Sequence, residues 1–231
     1  MVDITFKGIS ASSLGMVVEK MPDAVRAKRR VKAIHIPGRD GELHQDEETY
    51  EPVKLTARLN AFGNATSAQI SEWLDGSGQL ILSDDPGKYY DAIVIDQVTH
   101  GRDRSLSGRN YDTTVVTFKC EPFRRVVNQQ AIKFTTMGIV PNTTKHNAFP
   151  LIKLTGSGDI IFLAGARSLQ IAGVSGIITI DCEAEIATNS AGESITTKMT
   201  GDWPVIAPGG TPINWTGIVS LVEVYPNWRY N

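Results

Sequence analysis

The chain of 231 residues has few cysteines and aromatic residues, and no charge excess of either sign. Its 23 basic and 25 acidic side chains leave a formal net charge of −2, whereas a nucleic-acid-binding domain needs a basic surface that displaces counterions. No apolar run approaches the roughly 18–20 residues that span a bilayer, and the opening segment MVDITFKGIS has no apolar signal-peptide core. We therefore expect a chain made in the cytoplasm, without specific nucleic-acid contact or membrane insertion.

The two cysteines both lie in strand-like segments. Cys120 ends VVTFKC on the same alternating face as Val116 and Phe118. Cys182 lies in IITIDCEAEI, where apolar residues recur at the same spacing, namely Ile178, Ile180, Ala184 and Ile186. We interpret both as small apolar core side chains with free thiols, because disulfides are rare in reducing compartments.

Apolar and polar residues alternate with a period of two through most of the chain, which is typical of antiparallel strands with one wet face. The clearest case is VKLTARLNA, which places Val53, Leu55, Ala57, Leu59 and Ala61 on one face. Further strand candidates are NYDTTVVTFKC, YYDAIVIDQV, PLIKLTG, DIIFLAG, GIITIDCEAEI and GIVSLVEVY. The sequence therefore predicts a mainly β protein.

One helix is predicted in ATSAQISEWLDGSG. Thr66 and Gln69 have the spacing of a capping box, and Gly76 can end the helix in a left-handed conformation. The apolar stripe at helical spacing consists of Ile70, Trp73 and Leu74. We expect this short helix to pack on a sheet.

The strand rhythm breaks over residues 124–150, which contain polar residues and two prolines. Short strands with glycine-rich turns follow, which is typical of a β-sandwich. We predict two domains, residues 1–133 and 134–231.

The segment IPGRDGEL interrupts a strand pattern with Pro37, Gly38, Arg39, Asp40 and Gly41. A phosphate-binding loop would need a lysine and a following helix, and neither pattern follows here. Proline fixes φ and the glycines accept positive φ, so we predict a hairpin bend.

A second GRD occurs in HGRDRSLSGRNYD, again between strand candidates, and it contributes Arg102, Arg104 and Arg109. Two arginine-bearing loops are candidate contact surfaces for a partner protein. For either loop alone, a solvated hairpin tip is an equal alternative.

Catalytic and metal motifs are missing from the sequence. It has no Gly-x-Ser-x-Gly elbow and no HExxH pair, and its four histidines are scattered. Asp181, Glu183 and Glu185 alternate onto one predicted strand face, where they could bind calcium, although a solvated face is the commoner outcome. We expect no enzyme, no metal site and no cofactor.

Two further clusters have two interpretations each. The basic run RAKRRVK lacks interleaved aromatic residues and is offset by the acidic stretch DEETYE, so a subunit contact or a wet strand face is favoured over nucleic acid. Trp203, Trp215 and Trp228 are candidate sugar-stacking residues if exposed, and core residues of a sandwich if buried.

The order of these segments resembles the distal tail proteins (Dit) of long-tailed bacteriophages and related prophages. The N-terminal half carries DITFKGISASSLGMVVEK, IPGRDGEL, VKLTARLNAF, ISEWL, YYDAIVID and VVTFKCEPF in that order. The C-terminal part carries FPLIKLTGSGDI, GVSGIITIDCEAEI, GDWPVIAPGGTPINWTG and VYPNWRYN. Each segment is short, but together they span nearly the whole chain.

The resemblance implies a structural protein of the virion, at the tail tip or baseplate. Residues 1–133 are expected to form a β-sandwich-like, ring-forming domain with one short helix and a protruding hairpin. Residues 134–231 are expected to form a galectin-like β-sandwich. A homohexameric ring is expected to link the tail tube protein to the tail-associated hub protein and to hold receptor-binding proteins, with PGRDG shaping a hairpin that contacts a neighbour.

Two other functions stay open. A carbohydrate-binding module would use the tryptophans of the sandwich, although HNAFP and NWTG do not reproduce the sugar-binding pattern of galectins. A cell-wall hydrolase of the tail tip would need a nucleophile–base pair or paired acids, and the sequence nominates none.

Overall fold

The computed structural model describes residues 2–61, 66–104 and 110–231, and for residues 102–104 and 110–111 it describes the backbone alone. Antiparallel strands dominate these residues, so the prediction of a mainly β fold is confirmed. No helix within them is long and apolar enough to cross a membrane. Backbone contacts group the chain into unit 1, Met1–Val127 with Asn231, and unit 2, Asn128–Tyr230.

The strands of unit 1 are β1 (Ile4–Phe6), β2 (Ile9–Ser10), β3 (Met16–Lys20), β4 (Arg29–His35), β5 (Glu42–Tyr50), β6 (Val53–Ala61), β7 (Ser77–Leu82), β8 (Lys88–Val94), β9 (Thr99–Arg104), β10 (Asn110–Cys120) and β11 (Arg125–Val126). The helix α1 (Ser67–Leu74) follows β6, and a 3-10 helix (Ser12–Leu14) precedes β3. The main sheet has the order β2-β1-β7-β8-β10-β6-β3, with β9 also beside β10 and β11 beside β8. Strands β4 and β5 form a separate two-stranded sheet.

The strand predicted in VKLTARLNA is β6, and its alternation is confirmed. Every second residue from Val53 to Ala61 is buried, while Lys54, Thr56 and Arg58 are exposed. From Val53 to Leu59 the buried residues lie directly opposite buried residues of β10, as in the pair Leu55–Phe118. Burial of each such large side chain contributes roughly 1.5–3 kcal/mol, which makes this strand pair the centre of the unit 1 core.

The predicted helix is also confirmed. Thr66 Oγ1 accepts a hydrogen bond from the Gln69 amide at 3.3 Å, and the Gln69 side chain accepts one from the Thr66 amide at 2.9 Å. The apolar stripe of Ile70, Trp73 and Leu74 is buried, and the Trp73 indole donates to the Phe6 carbonyl at 3.0 Å. Gly76 has a φ of +80° where the chain leaves the helix.

The strands of unit 2 are β12 (Ile132–Phe134), β13 (Gly138–Val140), β14 (Leu151–Ala164), β15 (Arg167–Asp181), β16 (Ile186–Asn189), β17 (Met199–Gly201) and β18 (Thr211–Tyr225). A 3-10 helix (Thr196–Lys198) precedes β17. The sheet has the order β12-β18-β14-β15-β16, with β13 also beside β18 and β17 beside β15. The separate segments PLIKLTG and DIIFLAG belong to the one long strand β14.

Glycines allow the long strands of unit 2 to bend. The pairing of β14 shifts register on both sides of Gly156 and Gly158, and such bulges curl a strand. A Cβ at Gly156 would collide with the carbonyl oxygen of Ile218 on β18. The two strands β14 and β15 are joined by Gly165 and Ala166, and Gly165 has the positive φ of +61° that a type II′ turn needs at its first position.

The predicted division at residues 133 and 134 stays a prediction. Ile132–Phe134 forms β12, which pairs with Val222–Val224 of β18, so the backbone contacts group this strand with unit 2.

The hydrophobic core of unit 2 includes Phe162, Ile180 and Val222, none of which is exposed.

Candidate functional site

The PGRDG segment joins β4 to β5 as a hairpin turn, as the sequence predicts. The Arg39 amide donates to the Ile36 carbonyl at 3.2 Å, and Gly38 has a φ of +82°, so Pro37 and Gly38 occupy the middle of a four-residue turn. The whole loop is exposed, and β5 rather than a helix follows it. The loop therefore lacks the helix N-terminus of a phosphate site.

Both arms of this hairpin are exposed on both faces. Every residue of β4 except Ile34 is exposed, and so is every residue of β5 except Tyr50. Apolar side chains are included, since Val31 is 47% exposed and Leu43 is 46% exposed. A two-stranded ribbon is marginally stable in water by itself, so this hairpin is a surface that benefits from a partner.

The base of the hairpin is fixed by an ion pair across a bulge. Arg29 Nε lies 2.6 Å from Asp46 Oδ2, and the register of the two strands shifts between Arg29 and Val31. The hydrogen bond that Arg29 donates to Asp46 raises the pKa of Arg29, and the hydrogen bonds that Asp46 accepts from Arg29 and from the Glu48 amide lower the pKa of Asp46. The guanidinium also lies over the Tyr50 ring at 5.9 Å.

The second arginine-bearing segment is not a loop throughout, which corrects the sequence interpretation. Arg102 and Arg104 lie in β9, whose backbone pairs with Asn110–Val115 of β10. Apolar and polar residues alternate only weakly in this segment, so its strand conformation depends on the long-range pairing with β10. Arg109 lies outside the described residues, so its assignment to a contact loop stays a prediction.

The three candidate sugar-stacking residues lie in unit 2. Trp203, Trp215 and Trp228 are each half-buried and pack against the hydrophobic core of that unit. Trp215 lies directly opposite the buried Phe162 in the ladder between β18 and β14. These contacts favour the core interpretation, and a stacking role for any of the three stays a prediction.

The acidic row at the end of β15 is a turn and not a strand face. The side chain of Asp181 accepts hydrogen bonds from the Glu183 and Ala184 amides, each at 3.0 Å, and Glu185 has a φ of +55°. The chain reverses here so that β16 can pair with β15. The prediction of alternation through Glu183, Glu185 and Ile186 is therefore wrong, and Ile186 is 47% exposed.

A group that sequence reasoning missed surrounds His100 on β9. Its Nε2 lies 3.1 Å from Ser71 Oγ on α1, and its Nδ1 lies 3.1 Å from Thr114 Oγ1 on β10. A serine and a histidine at this distance resemble a nucleophile and its base, but the third member is a hydroxyl and not a carboxylate. A neutral hydroxyl does not counter the charge of an imidazolium, so the group is better suited to tying α1 to the sheet.

Neither the thiols nor the metal-ligating side chains form a reactive centre in the described part of the chain. Cys120 and Cys182 are free and buried. Burial raises the pKa of the Cys120 thiol to about 12 and also raises the pKa of the Cys182 thiol, so both are neutral at pH 7. Among the described residues, no three His, Cys, Asp or Glu side chains lie together in a group that could hold a metal ion.

One cavity of about 340 Å³ lies in unit 1 beside Tyr90 and Arg124. Three charged residues of its lining form one ion-paired group, in which Asp85 lies 2.9 Å from Arg124 Nη1 and 2.8 Å from Lys88 Nζ. No serine, cysteine or histidine is among its described lining residues. These residues therefore offer no hydroxyl or thiol with a histidine base beside it.

The chain matches no protein-family model and no curated protein sequence. It does match a crystal structure of the Dit protein of phage SPP1, with a TM-score of 0.75 and 15% sequence identity, over 100% of both chains. That protein is described as a paradigm of the hub adsorption apparatus in phages that infect Gram-positive bacteria. The likeness shows the fold, so the chain has the Dit-like β architecture that the sequence resemblance implies.

Proposed function

We propose that this chain is a non-enzymatic structural protein of a long-tailed bacteriophage or prophage, located at the tail tip of the virion. The observation that carries the proposal is the fold match to SPP1 Dit over the full length of both chains. A fold by itself hosts many functions, so the proposal also needs support from the surface of this chain.

The β4–β5 hairpin supplies that support. It is a two-sided exposed ribbon with apolar residues on its arms, and no other strand of the described residues pairs with it. Such edges are a liability in a monomer and are useful in an assembly. In this proposal the exposed loop with Pro37, Gly38, Arg39, Asp40 and Gly41 shapes the hairpin that contacts a neighbour.

The assembly that we propose is a homohexameric ring. Each copy presents two different patches to its neighbours, and a rotation that closes yields a ring with a channel. The ring links the tail tube protein to the tail-associated hub protein and is a platform for receptor-binding proteins. Its task is geometric, and it needs neither a cofactor nor a catalytic residue.

Gold-labelled antibody against this chain, applied to intact virions of the phage that encodes it, tests the location. We expect label at the distal end of the tail in electron micrographs. Virions treated with pre-immune serum and the same gold label are the control. Label on the capsid would contradict the proposal. Unlabelled tail tips would also contradict it if mass spectrometry shows that the virions contain the protein at another place.

Direct binding of carbohydrate on the host surface is the alternative function. The packing of Trp203, Trp215 and Trp228 against the core gives it no support. A glycan array probed with the full-length chain tests it, since specific sugar binding would favour this alternative.

A further inference from the structure

Charges are segregated between the two arms of the hairpin. Residues 24–35, which contain β4, carry five basic side chains and no acidic one. Residues 42–51, which contain β5, carry five acidic side chains and no lysine or arginine. One arm is therefore a basic strand and the other an acidic strand, although the whole chain is nearly neutral.

The hairpin satisfies only part of this charge internally. The two ion pairs between the arms lie at its base, where Arg29 contacts Asp46 at 2.6 Å and Lys28 contacts Glu51 at 3.4 Å. Nearer the tip, the register places Lys32 opposite Gln45 and not opposite an acid. Within the described residues, Arg30, Lys32, Glu42 and Glu47 form no ion pair, and all four are exposed.

The outer edges of both arms are free to accept another strand. Neither β4 nor β5 has a second strand neighbour in the part of the chain that the structure describes. Opposite charges on adjacent strands stabilise a sheet, and like charges destabilise it. The basic edge therefore suits an acidic strand, and the acidic edge suits a basic one.

We infer that β4 of one copy pairs along its free edge with β5 of the next copy, so that the basic arm of each hairpin meets the acidic arm of its neighbour. The inference rests on the ring proposed above and specifies the contact that closes it. A second copy is the fitting occupant because each hairpin carries both halves of the complementary pair. The contact is head-to-tail, which is the kind that generates rings.

The test uses two double variants of the full-length chain. Arg30→Glu/Lys32→Glu replaces two basic side chains of β4 with acidic ones, and Glu42→Lys/Glu47→Lys replaces two acidic side chains of β5 with basic ones. We expect each variant alone to lose self-association by about tenfold or more, because like charges then face each other across the contact. The control variant is Lys145→Glu/Lys198→Glu, which reverses two exposed charges in unit 2 and should assemble normally.

An equimolar mixture of the two hairpin variants gives the sharpest result. The reversed charges of the two variants complement each other, so native mass spectrometry should show mixed assemblies with equal numbers of both. The quadruple variant, in which all four side chains carry the opposite charge, should assemble by itself. Wild-type assembly should weaken as salt is raised, since the charges are exposed.

Two negative results have different meanings. If wild type assembles and both double variants assemble equally well, the edge contact is wrong while the ring function stands. If wild type stays monomeric at low salt and high concentration, both the contact and the ring function are contradicted. If each variant assembles only when another tail protein is added, the hairpin binds that protein and not a second copy, and the inference is wrong.

Discussion

Phe162→Ala is the substitution for which the structure gives the most definite magnitude. Phe162 lies in the middle of β14 with no exposed surface, directly opposite Leu169 on β15 and Trp215 on β18. Removal of its ring loses the transfer free energy of the side chain and leaves a cavity in the hydrophobic core of unit 2. Such substitutions cost about 3–5 kcal/mol in the free energy of unfolding.

Urea unfolding followed by tryptophan fluorescence measures this loss. Three of the four tryptophans lie in unit 2 and pack on its core, so the signal reports the unit that contains the substitution. The matched control is Ile161→Ala, because this neighbouring side chain points to the opposite face and is 37% exposed. We expect the control to cost about 1 kcal/mol or less. Equal losses for the two variants would refute the orientation of β14 and the core built on it.

Three other perturbations follow from local geometry. Thr66→Ala removes the capping box and should destabilise α1 by about 1 kcal/mol in amide exchange, whereas Ser67→Ala at the next position should have little effect. Gly38→Ala should destabilise the hairpin by about 1–2 kcal/mol, because the backbone φ of +82°, and not a steric contact, requires glycine. Asparagine adopts this φ more readily than alanine, so equal stability of the Gly38→Ala and Gly38→Asn variants would contradict this reason. Cys120 and Cys182 should react with a thiol reagent only after unfolding, and stability should fall as pH rises above about 8.5, where the thiols of the unfolded chain ionise and the buried thiols do not. Rapid labelling of either thiol in the folded chain would show that it is not buried.

Features that depend on local periodicity were predictable from the sequence. The alternation of β6 and the capping box of Thr66 and Gln69 are each set by residues within a few positions, and the structure has both. The turn at Pro37 and Gly38 was predictable for the same reason, since proline and glycine restrict the backbone locally.

Features that depend on long-range pairing were not predictable from the sequence. Arg102 and Arg104 read as a loop, but the backbone of β9 pairs with β10. The pattern around Glu183 and Glu185 predicted a continued strand, but the side chain of Asp181 accepts hydrogen bonds from the following amides and the chain reverses there. The exposure of both faces of β4 and β5 could not be predicted from the sequence either, because it depends on which strands lie beside the hairpin.

The group formed by Ser71, His100 and Thr114 was equally hidden, because its members come from α1, β9 and β10. No spacing in the sequence relates the three residues. The opposite charges of the hairpin arms, by contrast, are visible in RAKRRVK and DEETYE, whereas their pairing depends on the register of the two strands.

The mass of the purified full-length chain in solution, measured by light scattering behind a sizing column over a range of concentrations, tests the central claim most directly. The account predicts a species of about six times 25.2 kDa at low ionic strength. A species that stays at 25.2 kDa at every concentration and salt condition would contradict it.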